Sequence, residues 1–184
     1  MATNTISVHT LSFAQDFSED KLKRLTGPSD QNSYGVWHGK CIEDPDLDIV
    51  VIVGFPDSLD VASLSDTAPQ RHSHSKMPLA PLDRSLASPI TEVASVILKS
   101  DCDLVKVRPT VDAAMQTVLE ADDCQAATWK ITDRQIHFIV GWKSLEAHEK
   151  YHENIFANPP DAILAMPEFI QSNVVQHVSL CRIL

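Results

Sequence analysis

One phrase occurs twice in this chain, in the same surroundings, and it limits the fold more than any other feature. Ile52-Val53-Gly54-Phe55 is followed by Asp57-Ser58-Leu59-Asp60, and Ile139-Val140-Gly141-Trp142 by Lys143-Ser144-Leu145-Glu146. A Trp-containing stretch precedes each phrase, Val36-Trp37-His38-Gly39-Lys40 and Thr128-Trp129-Lys130-Ile131. After a Pro-rich stretch each is followed by a β-branched run, SPITEVASVILK from Ser88 and SNVVQHVSLCRI from Ser172. Matches that recur in one order point to internal duplication. The chain of 184 residues therefore reads as two half-length copies, 1–100 and 101–184, joined near Ser100-Asp101.

Periodicity gives each copy its elements. Thr5 to Phe13 alternates as a strand. A helix then starts at Ser18, with Phe17 stapled onto Leu22, and Gly27-Pro28 ends it. In the second copy Asp103 to Arg108 reads as the strand and Thr110 as the cap of a helix whose apolar face is Val111, Met115, Val118 and Leu119. The order strand, helix, strand, strand, helix, strand is the ferredoxin-like arrangement. A four-stranded antiparallel sheet with helices on one face leaves its other face bare, and two such sheets stacked together bury both. The expected fold is thus α+β, two ferredoxin-like repeats forming one compact pseudo-dimeric α/β barrel. Two independent domains are the alternative, against which stands a join too short for a free linker.

Composition narrows the partners. Hydrophobic residues make up 43% and charged residues 22%, which suits a packed core. With 15 basic against 25 acidic residues the formal charge is −10, so neither nucleic acid nor a membrane surface is an expected partner. Cys41, Cys102, Cys124 and Cys181 are scattered without a C-x-x-C pair, as free thiols in a reducing compartment would be. With no secretory pattern at the N-terminus and no long apolar run, a cytoplasmic location is expected.

The second copy, where HFIVGW runs into KSLEAHEKYHE, resembles the antibiotic-biosynthesis-monooxygenase and stress-responsive A/B-barrel families of the dimeric α/β-barrel superfamily. The carrying motif is a strand ending in Trp or Phe, a Ser-x-Glu helix start, and Tyr or His on the helix. The resemblance spans roughly Asp101 to Leu184 and is weaker over the first half, where Pro69, Pro78 and Pro81 interrupt the second helix. It implies a small, often aromatic or polyketide-like ligand, no cofactor, and a protein that can also pair as a homodimer. In polyketide-cyclase members a first-strand His and a Tyr on the helix after the third strand act in catalysis. Those positions fall on or near His9 and on Tyr151, while a further family His falls on Ala157.

The residues themselves add candidates. His9 shares a face with Ser7, Leu11 and Phe13, where apolar walls keep an imidazole neutral and basic. Tyr151 can donate to an enolate oxygen. A core His bonded to backbone is the plain reading of His9. His177 lies on a polar stripe with Val175, Ser179 and Cys181; His137 alternates with Ile139 and Gly141, opposite Phe138, Val140 and Trp142. Trp37, Trp129, Trp142 and Phe55 either shape an aromatic substrate pocket or fill the core. His148-Glu149-Lys150-Tyr151-His152 matches H-E-x-x-H, which on a helix presents two zinc ligands and a base, with Glu168 as a third ligand. The helix is short and Leu145, His148, His152 and Ile155 form a packing stripe, so no metal is expected and His148 is read as an acid–base residue. His72-Ser73-His74 reads as a surface loop.

These parts suit a cofactor-independent enzyme using acid–base chemistry on a polyketide- or terpenoid-like intermediate, as cyclase, isomerase or dehydratase. The alternatives are a cofactor-free monooxygenase and a non-catalytic stress-response or ligand-binding protein.

Overall fold

A computed structural model describes residues 5–14, 17, 18, 20, 34–54 and 68–183. Phe55 and the helices expected from Ser18 onward and after Phe55 lie outside the described residues, apart from the first residues of the former. Nine strands and four helices are described: β1 (Thr5–Phe13), β2 (Gly35–Lys40), β3 (Asp48–Val53), β4 (Arg71–Pro78), α1 (Leu79–Leu86), β5 (Ile90–Leu98), α2 (Leu104–Leu119), β6 (Cys124–Thr132), β7 (Gln135–Trp142), α3 (Leu145–Ala157), α4 (Asp161–Phe169), β8 (Ile170–Val178) and β9 (Cys181–Arg182). Among the described residues no helix is long and apolar enough to cross a membrane.

The strands form two sheets, β4-β1-β3-β2-β9 and β6-β7-β5-β8. Set aside the two-residue β9, and each sheet has four strands in the ferredoxin-like order 4-1-3-2. The expected α+β architecture of two such repeats is present. Two compact units contain them, Met1–Leu79 with His177–Leu184, and Ala80–Gln176.

The division falls at Leu79/Ala80 rather than near Ser100-Asp101, because two strands exchange roles. β5 does not close the first sheet; it opens the second, pairing antiparallel with β7 (Ala94 opposite Phe138). The strand that closes the first sheet is β4, RHSHSKMP, paired antiparallel with β1 (His9 opposite His74). Its polar sequence is why composition suggests a loop, yet charged and polar side chains are what an edge strand carries.

Asp103 to Arg108 is the other correction. It is not a strand: Asp103 is the N-cap of α2, its carboxylate accepting from the Val105 N–H at 2.9 Å. Val107, Val111, Ala114 and Met115 recur at helical spacing and are buried, whereas Val105 is 82% exposed. That stripe outlasts the short alternation of V-K-V-R. Thr110 is accordingly inside the helix, donating to the Lys106 carbonyl at 3.0 Å, and is not a cap.

Each unit has its own core. In the first, Leu11, Phe13, Val36, Val50 and Ile52 cluster on one face, with Phe17 against them. In the second, Ile136, Val140 and Trp142 of β7 and Val96 and Leu98 of β5 pack on Val107, Val111 and Met115 of α2. Gly141 gives the second sheet its fit to α1, since a Cβ there would stand 2.1 Å from Ser88 Oγ and 2.8 Å from Ser85 Cα.

Candidate functional site

The second unit contains a cavity of about 200 Å³, open on one side, between β5 and β7 below and α2, α3 and α4 above. Alternation along the strands puts Glu92, Ala94 and Val96 of β5 and Phe138, Val140 and Trp142 of β7 on its floor. Helical spacing puts Val111, Met115 and Val118 of α2 on its roof and Tyr151, His152 and Ile155 of α3 along its side. The α3 face is fixed at its start by Ser144, whose hydroxyl accepts from the Ala147 N–H at 3.2 Å.

Polar groups gather at one end of this apolar space. Glu92 is the only charged side chain on β5, and an interior carboxylate requires partners. Its Oε2 accepts the Trp142 indole N–H at 3.1 Å and lies 3.5 Å from His148 Nε2. His148 is 7% exposed, stands edge-on to Trp142 with ring centroids 5.2 Å apart, and meets His152 at 4.3 Å. His152 carries the imidazole series from Glu92 to the cavity wall.

Tyr151 completes the cluster, 5.3 Å from the Trp142 ring. Its hydroxyl is 3.0 Å from Thr117 Oγ1, and Thr117 in turn donates to the Ala114 carbonyl at 2.7 Å. With the threonine proton so engaged, the tyrosine is the donor of the pair. Burial first, then the negative charge of Glu92 and the Cys124 thiol, raise the Tyr151 pKa, the Thr117 hydrogen bond opposing them. The phenol therefore keeps its proton at neutral pH.

Of the residues singled out by sequence, Tyr151, His148 and Trp142 come together here. Each of the others has its own surroundings. His9 is fully buried in the first unit, with Nδ1 3.2 Å from His72 Nε2. His177 also belongs to the first unit, its Nδ1 against Glu43 Oε1 and its backbone N–H on Glu43 Oε2 at 3.0 Å. Trp37 is buried there beneath Arg182, whose guanidinium carbon is 5.2 Å from the ring centroid. His137 is buried on β7, but on the face opposite Phe138, Val140 and Trp142. Trp129 donates from its indole to Asp112 at 2.8 Å, outside the cavity. Glu149 and Glu168 are exposed, so the H-E-x-x-H phrase supplies its two imidazoles to the cluster and not its glutamate.

Sequence reasoning passed over Glu92, His152 as a cavity-lining group, and Thr117. For Glu92 a signal existed, a lone charge in the apolar run I-T-E-V-A-S-V-I-L. For Thr117 none did, because its role depends on α2 facing α3.

No protein-family model matches this chain, and no curated protein matches it. Solved structures do. An anthrone oxidase-like protein superposes with a TM-score of 0.65 at 9% identity, covering 96% of this chain and 91% of its own. A "putative monooxygenase" from Lactobacillus acidophilus NCFM gives 0.53 at 12% identity, covering 98% and 94%. An uncharacterized ferredoxin fold protein from Listeria monocytogenes 4b F2365, related to antibiotic biosynthesis monooxygenases, gives 0.53 at 10% identity, covering 95% and 94%. At such identities the likeness establishes the fold. The chain shares their ferredoxin-like α+β architecture.

Proposed function

We propose that the chain is a monooxygenase that works without an organic cofactor, taking a small aromatic, enolisable substrate into the cavity of the second unit. The observation that carries this reading is the cluster of Glu92, His148, His152, Trp142 and Tyr151 at one end of an otherwise apolar cavity. A cavity of about 150 Å³ suffices for benzene. The reacting ring of the substrate is therefore placed inside, with any further rings at the open side. Likeness to a "putative monooxygenase" and to an anthrone oxidase-like protein supports oxygenation over cyclisation or isomerisation.

Each group has a role its surroundings suit. His152, on the cavity wall, takes a proton from a CH₂ group conjugated through the aromatic ring with a ring carbonyl. His148 and the Glu92 carboxylate behind it offset the positive charge that develops. Tyr151 turns its O–H from Thr117 to the substrate oxygen, stabilising the enolate. The electron-rich enolate passes one electron to O₂; the two radicals join as a hydroperoxide, and loss of water leaves a new carbonyl. The balance is CH₂ + O₂ → C=O + H₂O, with all electrons drawn from the substrate carbon, so no external reductant is consumed.

Oxygen uptake with anthrone tests the reading. The expected result is one O₂ consumed per molecule oxidised, with the rate falling on the order of 100-fold or more in His152→Ala. An equal turnover of substrate under nitrogen would instead assign the same groups to proton transfer alone, the cyclase or isomerase chemistry.

A further inference from the structure

We propose that His9, His72 and His74 form a binding site for a divalent transition-metal ion of borderline character, with zinc the best fit. The inference goes beyond the oxygenation reading and uses none of the residues of the second-unit cavity. It starts from the strand that composition disguises as a loop. In β4 the two histidines are separated by one serine, so both project to the same side of the strand. Across the ladder His74 lies opposite His9 and His72 opposite Leu11, which places the third imidazole on that same side.

The spacing suits one ion. Directly opposed residues on antiparallel strands have Cβ atoms about 5 Å apart, and neighbours two along a strand about 7 Å. Imidazoles set at those distances can each bring one nitrogen to a common point, where zinc requires about 2.0–2.1 Å per bond. The His9 ring already meets both of the others. His9 Nδ1 stands 3.2 Å from His72 Nε2. The His9 ring lies along His74 with centroids 4.4 Å apart and planes 19° apart, and along His72 at 5.5 Å and 15°. Two nitrogens on one tetrahedral zinc are about 3.3 Å apart. Closing the site therefore takes side-chain rotation, not movement of the strands: the His9–His72 hydrogen bond is exchanged for two metal bonds, and His74 turns off the stack to add a third.

The donor chemistry selects the ion. Three imidazoles without a carboxylate or thiolate favour zinc, copper or nickel over magnesium and calcium. Ligation needs neutral rings. His9 is fully buried while His72 is exposed, so the cluster runs from the interior to a surface through which a hydrated ion can enter. Three protein ligands also leave a fourth position for water, as open rather than closed zinc sites do.

The test uses the full chain, stripped of metal and titrated with zinc chloride by calorimetry, with Co²⁺ as an absorbing substitute. The expected result is one equivalent bound and tetrahedral Co²⁺ bands. His72→Ala and His74→Ala should each weaken binding by roughly 100-fold or more, while the double variant His148→Ala/His152→Ala leaves it unchanged. Nitrogen chemical shifts of the wild-type imidazoles read the same site without substitution, since zinc must move those of His9, His72 and His74 together. Absence of saturable binding, binding that survives loss of both His72 and His74, or binding lost with His148 and His152 would each overturn the proposal.

Discussion

Two carboxyl groups of the first unit are held ionised by what surrounds them, and that makes acid the condition under which the unit weakens. Asp48 is fully buried, and burial by itself would raise its pKa. Against this its oxygens receive His38 Nε2 at 2.6 Å, the Phe17 N–H at 2.8 Å and Lys40 Nζ at 3.1 Å, and the balance is downward. Glu43 repeats the pattern: burial pushes up, and the His177 backbone N–H and ring and the Cys41 thiol pull it down to about 2. A carboxyl whose folded pKa lies below its unfolded value contributes stability above the latter and loses it as pH falls through the former. For Glu43 that window runs from about 4.3 down to about 2. The urea midpoint of the wild type is expected to fall across it, and Glu43→Gln to flatten the fall; equal slopes would remove Glu43 from the account. At the cavity, Glu92→Gln keeps an acceptor for the Trp142 indole but removes the anion beside His148. The expected outcome is a turnover number lowered by about 10-fold or more with a nearly unchanged Michaelis constant, checked by steady-state oxygen uptake.

At the scale of elements, the features with strong local causes were legible and those set by pairing were not. Strand β1, the Trp-bearing strands β2 and β6, and the third strands β3 and β7 stand where the repeated phrase suggests. The pairing keeps the repeat in step there, Trp37 opposite Val51 and Trp129 opposite Phe138. What differs is the strand end: Gly54 falls outside β3 at φ 87° while Gly141 is inside β7. The α2 cap and the α1 contact make two predictions. Asp103→Ala removes the acceptor for the Val105 N–H and should cost about 1 kcal/mol in chemical denaturation. Gly141→Ala forces a methyl against Ser88 Oγ and the Ser85 backbone and should cost about 1–3 kcal/mol.

For the whole molecule, duplication could be read from residues, but the place where one copy ends could not. An apolar run such as ITEVASVIL closes a first sheet as well as it opens a second, and only pairing decides between them. The same holds for the site. Tyr151, His148 and Trp142 were visible because they crowd one strand–helix connection, while nothing local in the sequence showed that His9 would stack on His72 and His74. The chain's last residues return to the first unit: β9 pairs with β2, Trp37 opposite Arg182, and the Ile183 N–H donates to the Val36 carbonyl at 2.8 Å. Deleting residues 177–184 strips that edge and the Glu43–His177 contact, and is expected to lower the melting temperature measured by circular dichroism.

The account stands on the second-unit cavity as the place of reaction with oxygen. Ala94 lies on its floor, and Ala94→Leu fills space without touching Glu92, His148, His152 or Tyr151 chemically. Oxygen uptake with anthrone, compared between the wild type and this variant after circular dichroism shows both folded, is the direct measurement. The account predicts one O₂ per anthrone for the wild type and little uptake for the variant. No uptake by the wild type, or equal uptake by both, would contradict it.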